Sequence, residues 1–242
     1  METILEIPRW RLTAGTNIPW IGGVTLRQPR LAEIFNDVDG PGFDIYMLYV
    51  NTLAADISDA ITGSDVAPLP TFAILMLTEQ FRSVVIDALS FYVVEDLQFN
   101  PDRLCIDVLR DDSVIGCIDA SNFDQIRSGI MQINGIKQKK KEEPKFFNAA
   151  AERIYRQLEE QRKKAGPQGD RNINIPNIIE AISANSTSYN LTNIFQLTVW
   201  QLYNQFARLS KKVQTDIFGT RWAAWGEKEF DFSVWYEDVD KS

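Results

Sequence analysis

Histidine is absent from this 242-residue chain, and that absence excludes more chemistry than any motif present adds. There is no Ser-His-Asp or Cys-His nucleophilic system, no histidine metal ligand and no imidazole acid-base catalyst. Carboxylate, lysine and tyrosine chemistry survive. Cysteine is nearly absent too: Cys105 and Cys117 are the only two, too few for a secreted disulfide scaffold. Long apolar runs are missing. The longest nearly uncharged stretch, Val66 to Leu77, holds two prolines and falls well short of the roughly 20 residues that span a bilayer. Positive charge is in deficit, with a net charge of −8, so no broad attraction for nucleic acid or an anionic membrane is expected. The opening METILEIPRWRL lacks the basic-then-apolar layout of a signal peptide, which sets the expectation of a cytosolic protein. Also missing are the GxxxxGK[ST] loop, the GxGxxG fingerprint, a CxxC pair and calcium-loop spacing.

What is present is ample core material, 45% hydrophobic and 11% aromatic. Residues 1–23, with Trp10, Pro19, Trp20 and Gly22-Gly23, read as extended chain. Val24 to Arg27 predict a short strand. Pro29 then sits near the start of a helix through Leu31, Ile34 and Phe35, closed by Asp39-Gly40-Pro41-Gly42. Phe43, Tyr46, Met47, Val50, Leu53, Ala54 and Ile57 recur at helical spacing and predict a core-facing helix. Thr71 is placed to cap a helix from Phe72 to Leu77 that is apolar on nearly every side, hence buried. From Leu97 to Asp119 the period changes: Leu104, Ile106 and Val108 alternate with Cys105 and Asp107, the polar turn Arg110-Asp111-Asp112-Ser113 follows, and Val114 to Ile118 completes a hairpin. In that register Cys105 and Cys117 lie roughly across from each other. They read as free cysteines acting as small hydrophobes, with a redox pair as the alternative. Ser121 is placed to cap a helix carrying Phe123, Ile126, Ile130 and Ile133.

The run Lys137 to Lys145, with Lys139, Lys140, Lys141 and Pro144, is the clearest composition break. It reads as a charged linker and hinge between two lobes, with a phosphate or acidic-partner contact as the alternative. The expected architecture is therefore α+β. A mixed lobe with a β-hairpin and buried helices spans 1–136, the linker 137–145, and a small helical bundle with an acidic-aromatic tail 146–242. The bundle is predicted to begin with a helix bearing Phe147, Ala151, Ile154, Tyr155 and Leu158 on one face, stopped by Gly166-Pro167. A shorter helix through Ile178, Ile179 and Ile182 comes next. The strongest local signal follows: Thr198 as N-cap, Gln201 as its reciprocal partner, and Leu197 stapled onto Leu202. Val199, Leu202, Tyr203, Phe206, Leu209, Val213 and Ile217 then form one continuous helical stripe. Beyond it, Trp222 to Asp240 alternates aromatics with Glu227, Glu229, Asp231, Glu237 and Asp238. Two readings stand: a tail docked on its own lobe, which we favour, or an arm for a basic or apolar partner surface.

The chemistry-bearing candidates are few. Asp107, Asp111, Asp112 and Asp119 at the hairpin form the one carboxylate cluster able in principle to hold Mg²⁺, although aspartate at a turn is ordinary.

Two stretches carry a resemblance. Gln28, Pro29, Arg30, Leu31, Ala32 and Glu33 follow the first strand. Asn193, Ile194, Leu197, Thr198, Val199, Trp200, Gln201, Leu202, Tyr203 and Phe206 follow an asparagine-rich turn. Over residues 24–35 and 173–210 the chain resembles small tail-module proteins of contractile-tailed bacteriophages. In that group a QPT-like strand-to-helix junction and a NIxxLTVYQLYxxF segment recur. Trp200 stands where the group carries tyrosine, and the acidic-aromatic tail is richer than usual. The resemblance implies a non-enzymatic tail or baseplate component, or a tail-assembly chaperone, acting in the host cytoplasm during assembly or in the virion tail. Its implied partners are other tail proteins, the tape measure or baseplate subunits, with no cofactor, metal, nucleic acid or membrane. The candidate partner-binding residues are Trp200, Tyr203, Phe206, Trp225, Trp235 and Tyr236. The alternative reading is a carboxylate and Mg²⁺-dependent nuclease or phosphotransfer enzyme using the hairpin aspartates.

Overall fold

The computed structural model describes residues 5–51, 70–77, 79–136, 174–226 and 231–237. Where extended chain is expected, a one-and-a-half-turn helix α1 (Arg9–Ala14) forms instead, ended by Gly15 at φ 65°, a left-handed value that glycine adopts without a Cβ clash. Strands β1 (Ile18–Pro19) and β2 (Thr25–Leu26) then pair antiparallel around a 3-10 turn at Ile21–Gly23. Leu26 is fully buried and bridges to Val93.

The helix after Pro29 does not stop at the Gly-Pro-Gly. α2 (Leu31–Glu33) passes through a π turn at Ile34–Val38 directly into α3 (Asp39–Asn51). The predicted break is wrong for a physical reason. The π turn shifts the backbone bonding out of the i→i−4 register just before Pro41, which has no N–H to give to that ladder. The stripe residues Leu53, Ala54 and Ile57 lie outside the described residues. α4 (Thr71–Leu77) buries Thr71, Phe72, Ile74, Leu75 and Met76, but Leu77 at its end is 67% exposed, and Thr71 is the first helical residue rather than the cap. α5 (Glu79–Tyr92), which the sequence reading passes over, buries Val85, Ala88, Leu89 and Tyr92, the i, i+3, i+4, i+7 spacing of one helical face.

The predicted hairpin is present and gains a third strand. β3 (Asp96–Asn100), β4 (Cys105–Arg110) and β5 (Ser113–Ile118) form an antiparallel sheet in that order. Asp111 and Asp112 both take left-handed φ, 50° and 58°, the conformation that a two-residue turn matching the strand twist requires. Asp107 pairs with Cys117, so Cys105 is Cys117's diagonal neighbour on one face rather than its direct opposite; both thiols are free. α6 (Phe123–Ile133) buries Phe123, Ile126, Ile130 and Ile133. Its N-cap position is Asn122, not Ser121. The loop before it is closed by Asp119, which accepts from the Ser121 amide at 2.8 Å while its own amide donates to Asn122 Oδ1 at 3.0 Å.

Two contacts fasten the β1–β2 hairpin to this sheet. The buried Glu95 carboxylate accepts from the Thr25 amide at 2.7 Å and from the Arg110 guanidinium. Gly116 of β5 lies so close beneath the 3-10 turn that a Cβ there would sit 2.0 Å from the Gly22 carbonyl oxygen.

α7 (Ile175–Asn185) is capped by Asn174, whose side chain accepts from the Asn177 amide at 3.0 Å, and buries Ile178, Ile179 and Ile182. α8 (Val199–Trp225) opens with the predicted reciprocal cap. The Thr198 amide donates to Gln201 Oε1 at 2.9 Å, and the Gln201 amide to Thr198 Oγ1 at 3.3 Å. It ends at Gly226, φ 68°. The fold is thus α+β, with two small sheets in the N-terminal half and helices throughout. The linker 137–145 and the helix bearing Phe147 to Leu158 fall outside the described residues. Leu31 and Ile34 on one side of that stretch, and Ile194 and Leu197 on the other, belong to a single buried cluster. No helix among the described residues is long and apolar enough to cross a membrane.

Candidate interaction surface

The two stretches that carry the resemblance meet at the N-terminus of α8. Arg30 and Thr198 form an isolated antiparallel bridge, and the Leu31 amide donates to the Leu197 carbonyl at 2.9 Å. The Arg30 side chain donates to Gln196 Oε1, and Phe35 packs edge-on against Phe195 with ring centroids 5.8 Å apart. Gln28, buried, donates to the Arg11 and Thr16 carbonyls at 3.0 and 2.8 Å and so holds α1 in place. From α1, the Thr13 carbonyl accepts from Gln201 Nε2 at 2.8 Å. Gln28, Arg30 and Gln201 of the two motifs thus reach across the chain to α1 and to the turn before α8.

This seam fixes where α8 leaves the body. Val199, Trp200 and Leu202 are buried, and Phe206 and Leu209 pack partly buried against the core. One and two turns later the same stripe is uncovered: Val213 is 45% exposed and Ile217 54%. From Ser210 to Trp225 the helix overhangs by about 24 Å at 1.5 Å per residue. Phe218 and Trp222 on the overhang are also exposed, and Trp225 is 73% exposed.

The tail returns to this helix. A 3-10 turn at Phe232–Tyr236, capped by Asp231 accepting from the Ser233 amide at 2.8 Å, rests along α8. Hydrogen bonds from the Ser233 side chain and amide hold the Asp231 carboxyl below its ordinary value. Arg208 Nη1 donates to the Trp235 and Glu237 carbonyls at 3.1 and 2.6 Å, and Lys211 Nζ lies 3.5 Å from Glu237 Oε2. Residues 231–237 thus dock on their own lobe, yet Trp235 and Tyr236 remain 50% and 65% exposed. The docking contacts at Arg208 and Lys211 are to the tail's carbonyls and to the Glu237 carboxylate, and the Trp235 and Tyr236 rings are left largely exposed.

The six candidate partner-binding residues separate accordingly. Trp200, 7% exposed, belongs to the core; two residues past the cap, it enters the body with the first turn of α8 and offers no surface. Tyr203 and Phe206 lie at the edge of the body, and burial, then the charge of Asp44, push the Tyr203 hydroxyl pKa up. Trp225, Trp235 and Tyr236 share the far portion of α8 and its docked tail. Phe218 and Trp222 join that surface and were not singled out from sequence; their spacing of four, with Trp225 three further on, was the available signal.

The overhang and its tail lie within a segment that matches a known family model. Residues 161–240 match the model of a family described as YomV second domain. The family's name is a phage-associated one, and the matched segment takes in α7, the capped helix α8, the overhang and the docked tail. No curated protein and no solved structure matches the chain.

The hairpin aspartates are not gathered in one place. Asp111 and Asp112 form the turn between β4 and β5, while Asp119 follows the opposite end of β5 and is committed to its loop, where Ser121 holds its carboxyl below the ordinary value. Asp107 accepts from Asn100 Nδ2 at 2.8 Å and pairs with Arg103 at 3.4 Å. Among the described residues no three His, Cys, Asp or Glu side chains stand close enough to share a metal ion.

Proposed function

We propose that the chain is a non-enzymatic phage tail-morphogenesis protein that works by protein-protein contact, its binding surface being the exposed aromatic end of α8 together with the docked tail. The observation that carries the reading is that Phe218, Trp222, Trp225, Trp235 and Tyr236 are all substantially exposed within the segment similar to the YomV second domain. Large aromatics supply most of the energy at protein interfaces, and five on one small lobe exceed what a solvated surface needs. The partners that fit the tail-module resemblance are other tail proteins, the tape measure or a baseplate subunit, met in the host cytoplasm during assembly.

The test is direct association with purified tail components. Binding that is lost on Trp225→Ala or Trp235→Ala, with thermal stability kept, supports the reading. No association with any tail component, together with normal tail assembly when the gene is deleted, refutes it.

A further inference from the structure

We propose that Arg208 and Lys211 are positioning residues for the partner-binding surface: they clamp the tail on α8 so that Trp235 and Tyr236 stand in line with the aromatics at the helix end, without themselves meeting the partner. This inference rests on the function proposed above and names the device that assembles its surface.

The first argument is the line on which the clamp lies. Arg208, Lys211, Thr215, Phe218, Trp222 and Trp225 follow one another in α8 at steps of three and four, which stacks them on one side of the helix. Val213 and Ile217 of the apolar stripe lie two positions beyond Lys211 and Thr215, about 200° further round the helix. Tail and stripe therefore use different sides. The line carries its cations at the near end and its aromatics at the far end. Lys211 and Trp225 stand 14 residues apart, about 21 Å along the axis.

The second argument is what holds the tail at the near end. Arg208 Nη1 forks between the Trp235 and Glu237 carbonyls at 3.1 and 2.6 Å, and Lys211 Nζ lies 3.5 Å from the Glu237 carboxylate. The fork fixes the backbone on both sides of Tyr236. Charge-assisted bonds of this kind are the strong ones, whereas an ion pair with Glu237 half exposed adds little alone, so Arg208 is the stronger half of the clamp. Arg208 is half-buried and the Lys211 side chain only 15% exposed, while Trp235 and Tyr236 stay 50% and 65% exposed. The cations are spent on their own chain and the rings are not. The surface is then two groups of rings on one helix, and a partner that spans both gains from a tail already ordered.

A double-mutant cycle on the binding of a purified tail component to the full chain tests the clamp. Arg208→Ala is expected to weaken binding about tenfold. In that background Trp235→Ala costs little or nothing more, while Trp225→Ala keeps its full effect. Lys211→Glu sets two carboxylates against each other and weakens binding, and Glu237→Lys added to it in the same chain restores the affinity. Lys212→Ala is the control: that cation is spent on Asp216 at 2.7 Å, and its loss leaves the affinity unchanged. A Trp235→Ala effect as large in Arg208→Ala as in the parent overturns the clamp and leaves the function standing. So does a charge swap that fails to restore binding. A parent chain that binds no tail component overturns the function and this inference with it.

Discussion

Replacing Gly116 by alanine tests how the N-terminal hairpin is fastened to the sheet. A Cβ at this position would lie 2.0 Å from the Gly22 carbonyl oxygen, 2.7 Å from the Gly22 carbonyl carbon and 2.9 Å from the Gly23 Cα. All three are backbone atoms, so no rotamer change relieves the clash. Either β5 or the 3-10 turn must move, and the turn is itself held by glycines at φ 70° and 80°. The turn is anchored in addition by the Thr25 to Glu95 hydrogen bond at its foot. Overpacking of this kind costs about 1–3 kcal/mol where side chains yield, and with backbone on both sides Gly116→Ala is expected at or above the top of that range. At roughly 2–4 °C per kcal/mol for a chain of this size, the melting temperature falls by about 6–12 °C. Gly40→Ala is the control: nothing lies within 4 Å of its added methyl, and in a helix alanine is favoured over glycine by about 1 kcal/mol. Denaturant unfolding of the two variants should therefore move in opposite directions. A Gly116→Ala protein as stable as the parent would refute the close approach.

Further outcomes follow from the same geometry. Phe206→Ala, half-buried against the core, should cost roughly 2 kcal/mol, whereas Trp225→Ala should leave the unfolding midpoint within about 0.5 kcal/mol of the parent. Equal losses in a denaturant titration would contradict the placement of the overhang. Thr198→Ala removes half of the reciprocal cap and should cost about 1 kcal/mol, measurable by the same titration. Burial alone would raise the Glu95 pKa, but the hydrogen bonds from Thr25 and Arg110 outweigh it and hold the carboxyl below its ordinary 4.5. A depressed carboxyl stabilises the fold fully above that ordinary value and loses its contribution as pH falls through the lower, folded one. Stability measured from pH 6 downward should thus decline below about pH 4.5 less steeply in Glu95→Gln than in the parent; identical slopes would show that the Glu95 carboxylate and its partners contribute nothing.

The parts legible in the sequence were those whose causes are local. The Thr198–Gln201 cap needs only four residues, and the Asp111-Asp112 turn only two, so both were readable in place. The Gly-Pro-Gly at 40–42 misled because a local stop signal is overridden when a π turn absorbs the missing amide. β3 was not named as a strand because DLQFN, although it alternates, is only five residues long with two apolar positions, both half-buried, and its pairing with β4 is what fixes it. The candidate surface was half legible. Helical periodicity is the same on either side of Leu209, so the sequence shows the stripe but not where the body stops covering it. That boundary is set by the seam of Arg30 with Thr198 and Leu31 with Leu197, contacts more than a hundred residues apart in the chain. Trp200 illustrates the cost: an aromatic two residues after a cap looks the same in sequence whether it enters the core or solvent.

We propose that the aromatic end of α8 and its tail serve phage tail assembly through protein contact. Counting complete tails by electron microscopy in lysates of a phage that carries this gene, with the parent sequence or with Trp225→Asp and Trp235→Asp together, tests it most directly. Few or no complete tails are expected from the double variant while the protein itself accumulates folded. Tails in normal number from the variant, and from a phage lacking the gene altogether, would contradict it.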